Sequence, residues 1–149
     1  MRSVKNSALF VRGKRAYLAY MRNLLGLLSL IALTACQQDE SVSKFADPMA
    51  EYHLIELDGV AFTSRATIAF PKEGEVVGQA PCNRYFATQT VPYPWFALSG
   101  IGATRMACPE LEAESAFFAA LEDMSLVEIV GPTLILTNEA GREMVFEAR

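Results

Sequence analysis

The chain predicts a mainly β, α+β domain: a small antiparallel sandwich or barrel with one packed helix. Three observations carry this. From Glu51 onward, short period-two runs alternate with Gly and Pro breaks. One segment, residues 109–124, changes to a period near 3.6. After it, three closely spaced strand-like runs joined by tight turns imply a β-meander.

Tyr52, Leu54 and Leu57 alternate with His53, Ile55 and Glu56, and Asp58-Gly59 makes a turn. Ala66-Thr67-Ile68-Ala69-Phe70 is a second strand, stopped by Pro71, and Lys72-Glu73-Gly74 turns the chain. Glu75–Gln79 begins a third strand expected to continue toward Tyr85. Trp95-Phe96-Ala97-Leu98 reads as another short strand after the breakers Pro92 and Pro94. Pro109 suits the first turn of a helix, and Glu110, Glu112 and Glu114 suit its positive end. Leu111, Phe117, Phe118, Leu121 and Met124 then form an apolar face, expected to pack on the concave side of the sheet. Leu126–Val130, Thr133–Thr137 and Glu143–Glu147 are the meander strands, joined at Gly131-Pro132 and at residues 138–141.

The N-terminus carries an address. Arg2, Lys5, Arg12, Lys14, Arg15 and Arg22 precede an apolar stretch from Leu24 to Leu33, with no acidic residue among them. At 10 residues the stretch is too short for a span, which needs about 20. The layout is that of a secretory signal. Leu33-Thr34-Ala35-Cys36 resembles the bacterial lipobox, whose cysteine is acylated and becomes the first mature residue. The expected division is a lipoprotein signal over 1–35, with Met21 as an alternative start, a flexible polar tether over 36–49, and one folded domain over 50–149. Gln37 after the lipidated cysteine favours the outer membrane, facing the periplasm.

Cleavage before Cys36 removes six of the 13 basic residues and none of the 17 acidic ones, leaving a net charge of −10. A domain so acidic does not bind nucleic acid through a basic field, and its membrane partner must be met through acyl chains.

Two segments stand out: Cys82-Asn83-Arg84-Tyr85, and Thr104-Arg105-Met106-Ala107-Cys108-Pro109 with the glutamates after it. Together they resemble the signature of the META domain family, which includes HslJ-like heat-shock lipoproteins of enteric bacteria. The resemblance spans residues 50 to 147. It departs at Tyr52, where the family often has tryptophan, and at Pro81 and Ala87, where glycine is common. Pro81 predicts an edge or bulge beside Cys82. The resemblance implies a barrel-like or strongly curved sheet with one helix. It also implies a non-enzymatic envelope or stress role, linked in that family to heat shock and novobiocin resistance, and it brings no catalytic residues.

With Cys36 acylated, Cys82 and Cys108 remain as an even pair in an oxidising compartment. A disulfide across their 26-residue separation would stabilise the fold by about 3 kcal/mol. The rival reading is a redox thiol at Cys108, beside a helix start, although no Cys-x-x-Cys motif accompanies it. Asn83, Arg84, Tyr85, Thr104 and Arg105 flank the two cysteines. They read either as a structural polar network with a glutamate such as Glu114, or as a site for a small anion or a peptide carboxylate from an envelope partner.

Elsewhere the signals for chemistry are weak. His53 is the sole histidine, so a metal cluster or a histidine-based triad would rest on one residue. Ser99, Ser115 and Ser125 lie in no nucleophile-elbow pattern. The glycines form no phosphate loop, and no cofactor is implied. Trp95-Phe96 reads as core or sheet packing rather than an exposed contact.

Overall fold

The computed structural model describes residues 40–149. Cys36, the signal and the first part of the tether lie outside the described residues. A short 3-10 turn (Val42–Lys44) leads into β1 (Tyr52–Leu57), β2 (Val60–Ala61), β3 (Thr67–Ile68), β4 (Glu75–Gln79), β5 (Arg84–Gln89) and β6 (Leu98–Ala103). The helix α1 (Leu111–Asp123) follows, and the chain closes with β7 (Leu126–Val130), β8 (Thr133–Thr137) and β9 (Glu143–Ala148). All pairing is antiparallel. One sheet runs β2-β1-β9-β8-β7 with β3 also on β1, and the second runs β4-β5-β6.

Two single-residue bridges stitch the sheets into one curled surface. Ala69 pairs with Val77 between β3 and β4, and Trp95 pairs with Leu126 between the β5–β6 connection and β7. Bulges add curvature. The β1–β9 register slips at Ile55, and the β5–β6 register slips opposite Gly100, whose φ of +64° suits glycine. The predicted barrel-like, strongly curved sheet with one helix is therefore observed, as a curl that does not close.

The concave side holds the core. Tyr52, Ile68, Phe70, Val76, Phe96, Leu134, Leu136, Met144 and Phe146 are buried there with Phe117 and Leu121 of α1. Tyr85 meets Phe117 and Phe118 edge-on, with centroids 5.6 and 5.5 Å apart. The expected helix face needs one exchange. Leu111 is exposed, while Glu114 occupies a buried position on the inner side. The reason is that turn amides at that level need an acceptor.

Four further differences have local causes. The strand expected to run from Glu75 toward Tyr85 is a hairpin: Ala80–Asn83 turns the chain, and Gln79 pairs with Arg84. Apolar alternation continued through the turn and hid it. Pro81 sits in that turn, where its missing N–H breaks no ladder bond. The strand expected at Trp95–Leu98 begins only at Leu98 and reaches Ala103, and Trp95 contributes one bridge. Phe96 is core, but Trp95 is 56% exposed. Finally, part of the stretch read as a flexible tether is packed on the domain. Val42 and Ala46 are buried, Phe45 stacks on Tyr93, and the Tyr93 N–H donates to the Glu40 carbonyl at 2.7 Å.

Candidate functional site

The β4–β5 turn and the loop before α1 meet at the helix start. Cys82 and Cys108 are joined there as a disulfide, with Cα atoms 5.8 Å apart. Cys82 is buried and Cys108 half-buried. The Glu110 N–H donates to Cys108 Sγ at 3.3 Å, and a Glu110 carboxylate oxygen lies 3.0 Å from the same sulfur. That second approach is a sulfur–oxygen contact, because a disulfide sulfur has no proton to donate. Cys82, Cys108 and Glu110 cluster closely enough to hold a metal ion. Metal ligation needs thiolate, however, and the two sulfurs are spent on each other.

Glu114 is the hub beside this disulfide. Its Oε2 accepts the N–H groups of Cys82 and Asn83 at 2.9 and 2.8 Å, and its Oε1 accepts the Asn83 side-chain amide at 2.7 Å. Helix α1 brings the carboxylate inward one turn after its start, so it satisfies donors the hairpin turn would otherwise bury unpaired. Asn83 carries the network onward. Its Oδ1 accepts the Thr104 hydroxyl at 2.8 Å and the Met106 N–H at 2.7 Å. The Thr104 Oγ1 accepts the Arg84 N–H at 3.2 Å, and the Thr104 N–H donates to the Arg84 carbonyl at 3.0 Å.

The structure thus brings Cys82, Cys108, Asn83, Thr104 and the backbone of Arg84 together around Glu114. Arg84 and Arg105 are exposed, and among the described residues neither forms an ion pair. Tyr85 points the other way, into the core. Its hydroxyl donates to the Thr67 carbonyl at 2.8 Å, and burial holds its phenol well above the ordinary tyrosine range. His53 is half-buried on β1, opposite Thr67 and Glu147.

Arg84 reaches a second feature. A cleft of about 540 Å³ lies along the β3–β4 seam and is lined by Arg65, Arg84, Glu51, Thr67, Gln79 and Tyr85, among others. Past the Ala69–Val77 bridge, side chains make the bonds across the seam. The Gln79 N–H donates to Thr67 Oγ1 at 3.0 Å, while the Tyr85 hydroxyl takes the Thr67 carbonyl. Gly78 forms the floor, where a Cβ would collide with the Thr67 carbonyl and the Tyr85 ring. Arg65 lies 3.4 Å from Glu51, a long and exposed pair.

Sequence reasoning missed a third cluster. Arg142 Nη2 and Nε donate to Asp58 Oδ2 at 2.8 and 3.1 Å, and Nη1 donates to Asp123 Oδ2 at 2.7 Å. One guanidinium thereby ties the β1–β2 turn to the end of α1. The Arg142 guanidinium first, then the Glu143 N–H, hold the Asp58 carboxyl below its ordinary range. Asp58 and then Asp123 hold Arg142 above its own. The Asp58-Gly59 turn was legible, but nothing in the sequence paired it with a residue 84 positions away.

Fold and site define a class: a small, curled β domain whose one helix is pinned to a hairpin turn by a disulfide and a buried carboxylate. The chain belongs to the META domain family, whose family model matches residues 47–149. It also resembles an NMR structure of a protein from Burkholderia xenovorans, at 21% identity and a TM-score of 0.56, covering 72% of this chain and 86% of that one. A second NMR structure gives 21% identity and a TM-score of 0.54, covering 68% and 94%. At that identity both likenesses bear on the fold alone. No curated protein matches the chain.

Proposed function

We propose that the protein is a non-enzymatic lipoprotein of the cell envelope, anchored through acylated Cys36, with a stress-response or envelope-integrity role against heat or novobiocin. The observation that carries the non-enzymatic part is the commitment of the buried polar groups and the cysteines of the signature segments to one another. Glu114, Asn83 and Thr104 bond one another and the backbone, and the cysteines bond each other. Groups committed in this way brace a fold and are poorly placed to act as nucleophile or base. The anchor rests on the lipobox-like run ending at Cys36, and the outer-membrane address rests on Gln37.

The test combines chemistry with phenotype. Intact-mass measurement of the membrane-extracted protein should show a diacylglyceryl and acyl adduct on Cys36, and fractionation should place it in the outer membrane. A strain lacking the protein should grow worse at high temperature or with novobiocin, and the wild-type copy should restore it better than Cys36→Ala. Equal restoration by both copies would sink the anchored role.

A second reading is favoured by the seam cleft. Arg84 and Arg65 both line it, with Glu51 beside Arg65 at 3.4 Å, and guanidinium groups suit a small anion or a peptide carboxylate. The arginine pair expected from sequence was Arg84 with Arg105; this cleft is lined by Arg84 and Arg65. Titration with acetate and with a short peptide should show saturable shifts at Thr67 and Gln79 amides that Arg84→Ala removes. Equal, non-saturating shifts in both proteins would refute it.

A further inference from the structure

The surface where the N-terminal segment joins the domain carries exposed aromatic rings. Phe45 is 50% and Trp95 56% exposed. Phe45 stacks on Tyr93 with centroids 4.1 Å apart, and the Tyr93 N–H is held by the Glu40 carbonyl. Trp95 follows two residues later, where its N–H donates to the Pro92 carbonyl at 2.9 Å and its backbone bridges to Leu126. Phe45, Tyr93 and Trp95 therefore stand at the point of attachment on a backbone fixed by hydrogen bonds.

We propose that this aromatic patch docks on the bilayer surface in which Cys36 is anchored. The proposal rests on the lipidation of Cys36 argued above. Chain length supplies the main argument. Four residue steps separate Cys36 from Glu40, a reach of at most about 14 Å. A domain of about 110 residues has a radius of gyration near 13 Å. A tether whose full reach is about the domain's radius of gyration keeps the attachment face beside the headgroups. Tryptophan, tyrosine and phenylalanine are the rings that gain most from that boundary, apolar on one side and wet on the other.

Charge does not supply this docking. The mature chain is strongly acidic, so anionic headgroups repel it, and added salt relieves that repulsion. The patch works through ring burial, and its contact with lipid is not released by raising the salt.

Trp95 is the only tryptophan in the chain, so its emission reports on the patch alone. The lipidated protein is purified from membranes, its Cys36 adduct is verified by mass, and it is reconstituted in phosphatidylethanolamine–phosphatidylglycerol vesicles. Emission is compared with and without lipids brominated near the headgroup. The expected result is blue-shifted emission, loss of intensity with the brominated lipid, and protection from acrylamide, all unchanged at high salt. Water-like emission that bromine leaves untouched, from protein carrying the adduct, overturns the docking but not the anchor. Blue-shifted emission without bromine quenching assigns the patch to a second copy of the chain and also overturns it. A missing adduct overturns the anchored reading and this inference with it.

Discussion

The carboxylate of Glu114 grips Asn83 twice, through the backbone N–H at 2.8 Å and the side-chain amide at 2.7 Å. The two residues are 31 positions apart, so this one contact fixes the helix against the β4–β5 turn. All three hydrogen bonds to the carboxylate come from N–H donors, and the site is buried. A glutamine here would aim its own donors at donors. Glu114→Gln is expected to destabilise the domain by about 2–4 kcal/mol, and Glu114→Ala by at least as much. Denaturant unfolding of each variant checks this; a loss below about 0.5 kcal/mol would remove Glu114 from its role as hub.

The disulfide and the hub share Cys82, whose N–H is one of the bonds to Glu114. Replacing both cysteines with serine should cost about 3 kcal/mol and lower Tm by about 10–15 °C. Because the two features hold the same turn, their losses should not add. The triple variant with Glu114→Gln should lose less than the sum of its parts, by about 1 kcal/mol. Strict additivity in a thermal-melt cycle would show that the disulfide and the carboxylate act independently.

Acid should weaken the turn held by Arg142. The Asp58 carboxyl is held below its ordinary value of 3.8 in the folded chain. A depressed folded value contributes stability above the unfolded value and loses it as pH falls through the folded one. The loss therefore begins near pH 4 and completes below it. Asp58→Asn tests this cleanly, because Asp58 has a φ of +51° and asparagine tolerates that region. Wild type should exceed the variant at neutral pH by about 1 kcal/mol or less, since the pair is partly exposed, and the two should converge below pH 4. A constant gap down to pH 2 would show that the charge on Asp58 is not what stabilises the turn.

These cases also show what the sequence could express. The helix was legible because Phe117, Leu121 and Met124 recur at helical spacing behind Pro109, and the meander because Gly131-Pro132 and residues 138–141 separate apolar runs. Strand β6 was not, because Gly100 and Gly102 remove the apolar alternation that marks a strand. Gly100 has a positive φ, and at Gly102 the exposed ring of Phe86 lies over the position a Cβ would take. The packed segment before β1 was hidden for a different reason. Only Val42 and Ala46 enter the core there, too few to form a pattern in a polar run. At the site, residues adjacent to the cysteines were visible as a group. The place of Arg84 beside Arg65 in the seam cleft was not, because the two are 19 positions apart and meet only through the pairing of the sheet.

Gly78 sets the geometry of the seam cleft, and it gives the sharpest steric prediction. It pairs with Tyr85 across the hairpin, and a side chain there would strike both the Thr67 carbonyl and the Tyr85 ring. Both obstacles belong to the lock across the seam, in which the Tyr85 hydroxyl donates to the Thr67 carbonyl. Gly78→Ala should therefore part the strands and cost about 3 kcal/mol, at the upper end of ordinary overpacking. Tyr85→Phe leaves the ring in place and removes only the hydroxyl, so it should cost about 1–2 kcal/mol. Adding Tyr85→Phe to Gly78→Ala should restore nothing, since the ring and the carbonyl still block the methyl. Unfolding measurements on the three variants decide the matter: a Gly78→Ala domain as stable as wild type would mean the seam has room, and the cleft beside it is wider than the lock allows.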